Sequence, residues 1–169
     1  MASLKVSIRG DVNNLDRLMK TNIDCNKKIK PQSPVNSNSG QQTLLLADDN
    51  KVVTIATSHK LTQMGYDVLT AINGDEVIEI MENNNCDILL IDTNMVDSGD
   101  GLRTIKLIRD GLIFNNFKNF RTIPIIDFSA DFDDNSQKLA FESGTSACLQ
   151  KPFDEKKFLQ IIENLSNKG

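Results

Sequence analysis

The chain has 169 residues, 39% of them hydrophobic, and a formal net charge of −4. That length suffices for one domain with a full core and some additional sequence. The acidic balance gives no reason to expect nucleic acid, no apolar run is long enough to span a bilayer, and the N-terminus Met1-Ala-Ser-Leu-Lys-Val-Ser-Ile-Arg9 lacks the apolar core of a signal peptide.

Cys25, Cys86 and Cys148 are odd in number, widely spaced and form no CxxC pair. Neither a disulfide framework nor a zinc site is indicated, and a reducing, cytoplasmic setting is expected. His59 is the single histidine, which excludes metal sites needing two; it reads as a surface residue of a helix.

Residues 1–42 are rich in Asn and Lys, with thinly spread apolar residues. Asp11 to Lys20 offers a short helix with Val12, Leu15, Leu18 and Met19 on one side. Pro31 to Gly40 is dense in turn formers and reads as a flexible linker. The segment is expected to be a tail or linker, with a docking arm as the alternative. A domain then occupies residues 43–166.

Thr43 to Ala47 reads as a first buried strand tipped by Asp48-Asp49-Asn50. Lys51 to Met64 has a helical spacing of apolar residues, Val52, Val53, Ile55, Ala56, Leu61 and Met64, and Gly65 stops it. Tyr66 to Thr70 is a second strand. Asn73-Gly74 is a turn, Asp75 a cap, and the next helix turns Val77, Ile78, Ile80 and Met81 inward. Ile88 to Ile91 is an apolar run too short for a buried helix, so it reads as a strand covered on both faces; it ends in Asp92. A loop from Thr93 to Asp100 leads to a helix from Gly101 with Leu102, Ile105 and Ile108 inward. Thr122 to Phe128 is the fourth strand, ending in Ser129-Ala130. A weaker helix spans Asp134 to Ser143 and closes at Gly144. Ser146 to Gln150 is a short fifth strand leading to Lys151-Pro152, and Asp154 to Leu165 is a last amphipathic helix. Five short buried strands alternating with helices predict an α/β domain with a parallel sheet and right-handed crossovers.

Ligands of open α/β sheets bind at the carboxyl ends of strands where strand order reverses. The first strand ends in Asp48 and Asp49, the third in Asp92, the fourth in Ser129, and the fifth delivers Lys151. If the first and third strands are neighbours, their tips lie roughly 5 Å apart. Three carboxylates that close repel one another. A divalent cation relieves this, and oxygen donors select Mg²⁺ or Mn²⁺. A lysine and a hydroxyl at the same place complete a phosphoryl pocket, with Asp92 as the nucleophile. Taken singly, Asp48 and Asp49 read as helix caps and Lys151 as a surface charge; all five residues at strand ends argue for the site.

Residues 43–166 resemble the receiver domain of two-component response regulators, in the style of those attached to hybrid sensor kinases. The matching pieces are Leu44-Leu-Leu-Ala-Asp-Asp-Asn50, Ala71-Ile-Asn-Gly-Asp75, Asp87-Ile-Leu-Leu-Ile-Asp-Thr-Asn-Met95, Asp100-Gly-Leu102, Arg121-Thr-Ile-Pro-Ile-Ile126, Ser129-Ala130 and Lys151-Pro-Phe153. The resemblance implies a flavodoxin-like (βα)5 fold, a doubly wound parallel sheet with strand order 2-1-3-4-5. It also implies that Asp92 accepts a phosphoryl group from a phosphohistidine on a histidine kinase or histidine phosphotransfer protein. Asp49, Asp92 and the Asn94 carbonyl would hold Mg²⁺ directly, with Asp48 acting through water. Ser129 takes the place of the switch hydroxyl and Lys151 that of the phosphate-contacting lysine, with a cis bond to Pro152.

Several residues depart from the family pattern. Val96 stands where Pro is usual, and one extra residue precedes Asp100-Gly101. Cys148 replaces the aromatic residue that accompanies the switch hydroxyl; it either reroutes the signal or packs as a small hydrophobe. A long connection holds Phe114, Phe117 and Phe120, expected over the core edge or, if exposed, as a partner surface. The chain shows no glycine-rich nucleotide loop and is not expected to be a kinase. An aspartyl phosphatase would need a second Asp where Asn94 stands. Output is expected through contacts with an unknown downstream protein, without nucleic acid binding or membrane insertion. Homodimer formation stays open, and a phosphorylation-independent interaction scaffold is the alternative function.

Overall fold

The computed structural model describes residues 40–95, 101–111, 120–130 and 133–167. The helix and linker expected before residue 40, the altered loop at Val96, Phe114 and Phe117 lie outside the described residues.

The described elements run β1 Thr43–Ala47, α1 Lys51–Gln63, β2 Asp67–Ala71, α2 Gly74–Asn83, β3 Ile88–Ile91, α3 Gly101–Asp110, a 3-10 turn Phe120–Thr122, β4 Ile125–Ser129, α4 Asp134–Ser143, β5 Ala147–Gln150 and α5 Glu155–Ser166. The five strands form one parallel sheet in the order β2-β1-β3-β4-β5, as expected. The three central strands are buried along nearly their whole length. Side chains alternate between faces of a strand, and the core divides accordingly. Leu45, Ala47, Leu89, Ile91 and Ile125 pack with Val77, Met81, Ile105 and Ile108 of α2 and α3. Leu44, Leu46, Ile88, Leu90, Ile126 and Phe128 pack on the other face with Leu61 of α1 and Phe158 of α5.

Local chemistry departs from the predicted elements in three places. First, the N-caps of α1 and α2 are asparagines. Asn50 caps α1, its side chain accepting from the Val52 and Val53 amides, and Asn73 rather than Asp75 caps α2. The acids at the tip of β1 are thereby left for other work.

Second, α1 follows its apolar pattern only in part: Val53, Leu61 and Met64 pack on the core, but two threonines complete the buried face. Thr54, Thr57 and Leu61 face the sheet, whereas Val52 and Ile55 are 76% and 70% exposed. A buried threonine is tolerated because its hydroxyl finds backbone acceptors; Thr54 Oγ1 reaches the Asp48 and Asn50 carbonyls, each at 3.1 Å.

Third, β4 begins at Ile125, not Thr122. Pro124 has no N–H for a ladder, though its carbonyl accepts from the Leu89 amide. The residues before it close a 3-10 turn that buries Phe120 against the core.

An aromatic wedge fixes the connection from β5 to α5. Phe153 packs against Phe128 and Phe158, and Phe158 packs edge-on against Tyr66. Lys60 of α1 donates to the Phe153 carbonyl and its ammonium lies 5.9 Å from the Phe153 ring. The Lys151–Pro152 bond is cis. Lys151 is thus anchored from two sides before its side chain turns toward the strand tips.

Candidate functional site

Register brings the acids together. Ala47 pairs with Ile91, so Asp48 and Asp92 each stand one residue past neighbouring strands. Their backbones stay in the ladder: the Asp92 amide donates to the Ala47 carbonyl at 2.8 Å, and the Asp48 amide to the Ala71 carbonyl at 3.0 Å. Each carboxylate then folds back on its own turn. Asp48 Oδ1 accepts from the Asn50 amide, and Asp92 Oδ1 from the Asn94 amide, both at 2.9 Å. Such Asx turns leave the second oxygen of each group facing the centre of the site.

Lys151 occupies that centre. Its Nζ lies 2.5 Å from Asp92 Oδ2 and 2.8 Å from Asp48 Oδ2. Its own amide donates to the Ser129 carbonyl, which ties the end of β5 to that of β4. Burial by itself would lower the Lys151 pKa, but the hydrogen bonds and charges of Asp48 and Asp92 outweigh it and hold the ammonium above its ordinary value. Burial raises the Asp48 carboxyl; the Lys151 hydrogen bond and the Asn50 amide offset only part of that rise.

Asp49 is exposed at the rim, and its carboxylate comes within 4.8 Å of those of Asp48 and Asp92. One ammonium against three carboxylates leaves the corner short of positive charge. The donors are all oxygen, and one of the three side chains opens to solvent. Such a set suits a hard divalent cation that keeps part of its water. Fully buried Asp48 Oδ2 meets only the Lys151 ammonium among the described residues, so it has acceptor capacity to spare. The residues therefore fit Mg²⁺. Asn94 is exposed, and its amide is the donor to Asp92 already described.

Gly101 fixes the far wall. A Cβ at this position would stand 2.2 Å from the Asp92 carbonyl oxygen and 2.7 Å from Thr93 Cα. The first turn of α3 lies directly on the Asp92–Thr93 peptide, and only glycine allows that approach.

Ser129 ends β4 and is buried. Its hydroxyl donates to Asp127 Oδ2 at 3.4 Å. Asp127 is a residue the sequence reading missed. It is 1% exposed, between Ile126 and Phe128 of a buried strand, and its Oδ1 accepts from Thr93 Oγ1 at 2.9 Å. Cys148 faces it from β5. Burial, with Asp127's charge behind it, pushes the Cys148 thiol up to about 11. Cys148 thus packs beside a carboxyl group rather than simply among hydrophobes. The available signal was a lone acid flanked by Ile126 and Phe128.

Residues 44–163 match the response regulator receiver domain family. The chain belongs to that family. It is 32% identical over 76% of its length to the CAI-1 autoinducer sensor kinase/phosphatase CqsS of Vibrio cholerae, spanning 18% of that protein. It is 30% identical over 69% of its length to the sensor histidine kinase RcsC of Escherichia coli, spanning 11% of it. Among solved structures it superposes on the receiver domain of a Pseudomonas aeruginosa sensor histidine kinase, with a TM-score of 0.64 and 25% identity, covering 74% of this chain and 97% of that one. That structure has a magnesium ion coordinated in its active site cleft. Among the described residues of the present chain no helix is long and apolar enough to cross a membrane.

Proposed function

We propose that this chain accepts a phosphoryl group on Asp92 from the phosphohistidine of a histidine kinase or histidine phosphotransfer protein, and signals through contacts with a downstream protein. The observation that carries the reading is Lys151 Nζ poised between the inner oxygens of Asp48 and Asp92, with Asp49 closing the corner. An Asp92 oxygen attacks phosphorus, the phosphorus–nitrogen bond breaks, and the imidazole leaves with the electron pair. Lys151 offsets the charge on the transferring oxygens, and Ser129 donates to one of them. Asp49, Asp92 and the Asn94 carbonyl would hold Mg²⁺, with Asp48 reached through water. Bound there, the ion neutralises charge on the phosphoryl oxygens. The magnesium in the Pseudomonas relative supports this assignment.

The chemistry is self-phosphorylation with slow hydrolysis, not a kinase's, in a cytoplasmic protein. Residues 43–166 act as the receiver and 1–42 as its linker or tail. Incubation with Mg²⁺ and acetyl phosphate should add the mass of one phosphate, absent in Asp92→Asn. An unchanged wild-type mass, with no uptake of beryllofluoride, would refute the reading. A size measurement on the phosphorylated chain decides whether it forms a homodimer.

The protein donor meets a prepared rim. Val52 and Ile55 project from the first turns of α1, which begins two residues after Asp49, so a partner reaching Asp92 covers an exposed apolar stripe. Ile55→Glu should slow transfer from the protein donor about tenfold or more and leave labelling by acetyl phosphate unchanged. Equal slowing with both donors would place the fault in the site itself.

A second reading, an interaction scaffold that works without phosphorylation, draws support from Cys148 in place of the usual aromatic residue. Beryllofluoride uptake without any change in partner affinity would favour it.

A further inference from the structure

The acceptor chemistry leaves Asp127 unused, yet two parts of the site hang from it. Thr93, the residue after the acceptor, donates to one oxygen, and Ser129 to the other. All three side chains are buried, with exposures of 6%, 1% and 1% for Thr93, Ser129 and Asp127. The register explains the grouping. Asp127 pairs with Ile91 on β3 and lies two residues before Ser129 on the same face of β4. No cation is within the cluster among the described residues, so neutral donors serve the carboxyl group: the Thr93 and Ser129 hydroxyls, the Thr93 amide and the Cys148 thiol.

A serine hydroxyl has a single hydrogen to donate. While Ser129 gives it to Asp127, it cannot give it to a phosphoryl oxygen on Asp92. We propose that Asp127 is a positioning residue that restrains the Ser129 hydroxyl, so that a phosphoryl group on Asp92 must win this donor from a buried carboxyl group. The contact is long at 3.4 Å, whereas Thr93 is held at 2.9 Å. The Thr93 contact is the anchor, and the Ser129 contact is the one that yields. Such a tether keeps the signalling hydroxyl in a defined resting place until the acceptor is occupied. It also gives the β4 strand tip a route of communication that does not need an aromatic residue at Cys148. The inference rests on the acceptor reading above.

Asp127→Asn separates the two contacts. The amide oxygen can keep the short bond from Thr93, and the amide nitrogen then points at Ser129 as a donor. Ser129 becomes an acceptor there and its own hydrogen is released. Beryllofluoride with Mg²⁺ is titrated against the full chain and followed by fluorine NMR for wild type, Asp127→Asn, Ser129→Ala and the double variant. Asp127→Asn should bind about three- to tenfold more tightly than wild type, the net worth of one hydrogen bond. The gain should disappear in the Ser129→Ala background, because contacting residues couple.

A gain of the same size in both backgrounds means that the lost charge acts through space, and the proposal is overturned. So does no gain at all. If Asp127→Asn fails to fold, Asp127→Val supplies the same comparison in a residue suited to a buried strand. A wild-type chain that takes up neither beryllofluoride nor phosphate overturns the acceptor reading and this proposal together. Wild-type uptake without coupling overturns this proposal alone.

Discussion

Two acidic groupings lie on either side of β3, and they are built on opposite terms. Toward β1, Asp48, Asp49 and Asp92 crowd together around Lys151, with Asp49 open to solvent. Toward β4, Asp127 is alone and sealed, served by the hydroxyls of Thr93 and Ser129. The first corner has a surplus of negative charge and a route for ions, so it can trade partners. The second has donors suited to its oxygens and no opening, so it can hold things still. Carboxyl groups a strand apart thus acquire different work from their access to water and cations, not from their identity.

Gly101 offers the harshest way to break the contrast, because both groupings share the Asp92–Thr93 peptide it packs against. In Gly101→Ala the new methyl group would meet the Asp92 carbonyl oxygen at 2.2 Å, a backbone contact that no side-chain adjustment can relieve. The expected cost is about 3 kcal/mol or more in urea denaturation. Beryllofluoride binding should fall together with it, as Asp92 is displaced. A variant of wild-type stability that still binds beryllofluoride would show that the wall has room to move.

Most of the fold was legible because strong signals agreed. Apolar runs of strand length, Asn-Gly and Gly stops, and helical spacing in α2, α3 and α5 all point to one alternating topology. The acid corner was legible for a geometric reason: in a parallel sheet every strand presents its carboxyl end on the same edge. What escaped had contrary local signals. In α1 the apolar residues Val52 and Ile55 face outward while Thr54 and Thr57 face in, since small hydroxyl side chains satisfied by nearby carbonyls fit against a sheet as well as valines do. Asp127 escaped because its neighbours Ile126 and Phe128 dominate the strand pattern, and its partner Thr93 is 34 residues away. The use of Asn50 and Asn73 as caps was equally hidden, since a nearby acid, Asp49 or Asp75, competes for the same role in sequence.

Lys151 tests the open corner more gently. Replacing it by Met leaves Asp48 and Asp92 facing each other without their cation. In magnesium-free buffer the variant should lose about 2 kcal/mol, below the cost of breaking a fully sealed pair because this corner is partly wet. Added magnesium should narrow the gap between the variant and wild type, since a divalent cation relieves the same repulsion. A gap that ignores magnesium would mean the corner does not take the ion, and the contrast between a tradable and a fixed acid would lose its first half.

The smallest effect probes the sealed side through pH. Burial raises the Asp127 carboxyl, with Thr93's hydrogen bond opposing and Asp92's charge adding to the rise. A carboxyl raised in the folded chain binds its proton more tightly there than in the unfolded chain. Its support for the fold is complete below the ordinary carboxylate range and is lost as pH climbs through the raised value. Asp48 is raised as well, so the wild-type curve alone does not isolate Asp127. The difference between Asp127→Asn and wild type does. Measured by urea denaturation in magnesium-free buffer from pH 4 to pH 8, the variant should gain on wild type by on the order of 1 kcal/mol as pH rises, then level off. A difference that stays flat would mean that Asp127 titrates alike folded and unfolded. Burial would then set it apart no better than exposed Asp49 across β3, and the contrast would lose its second half.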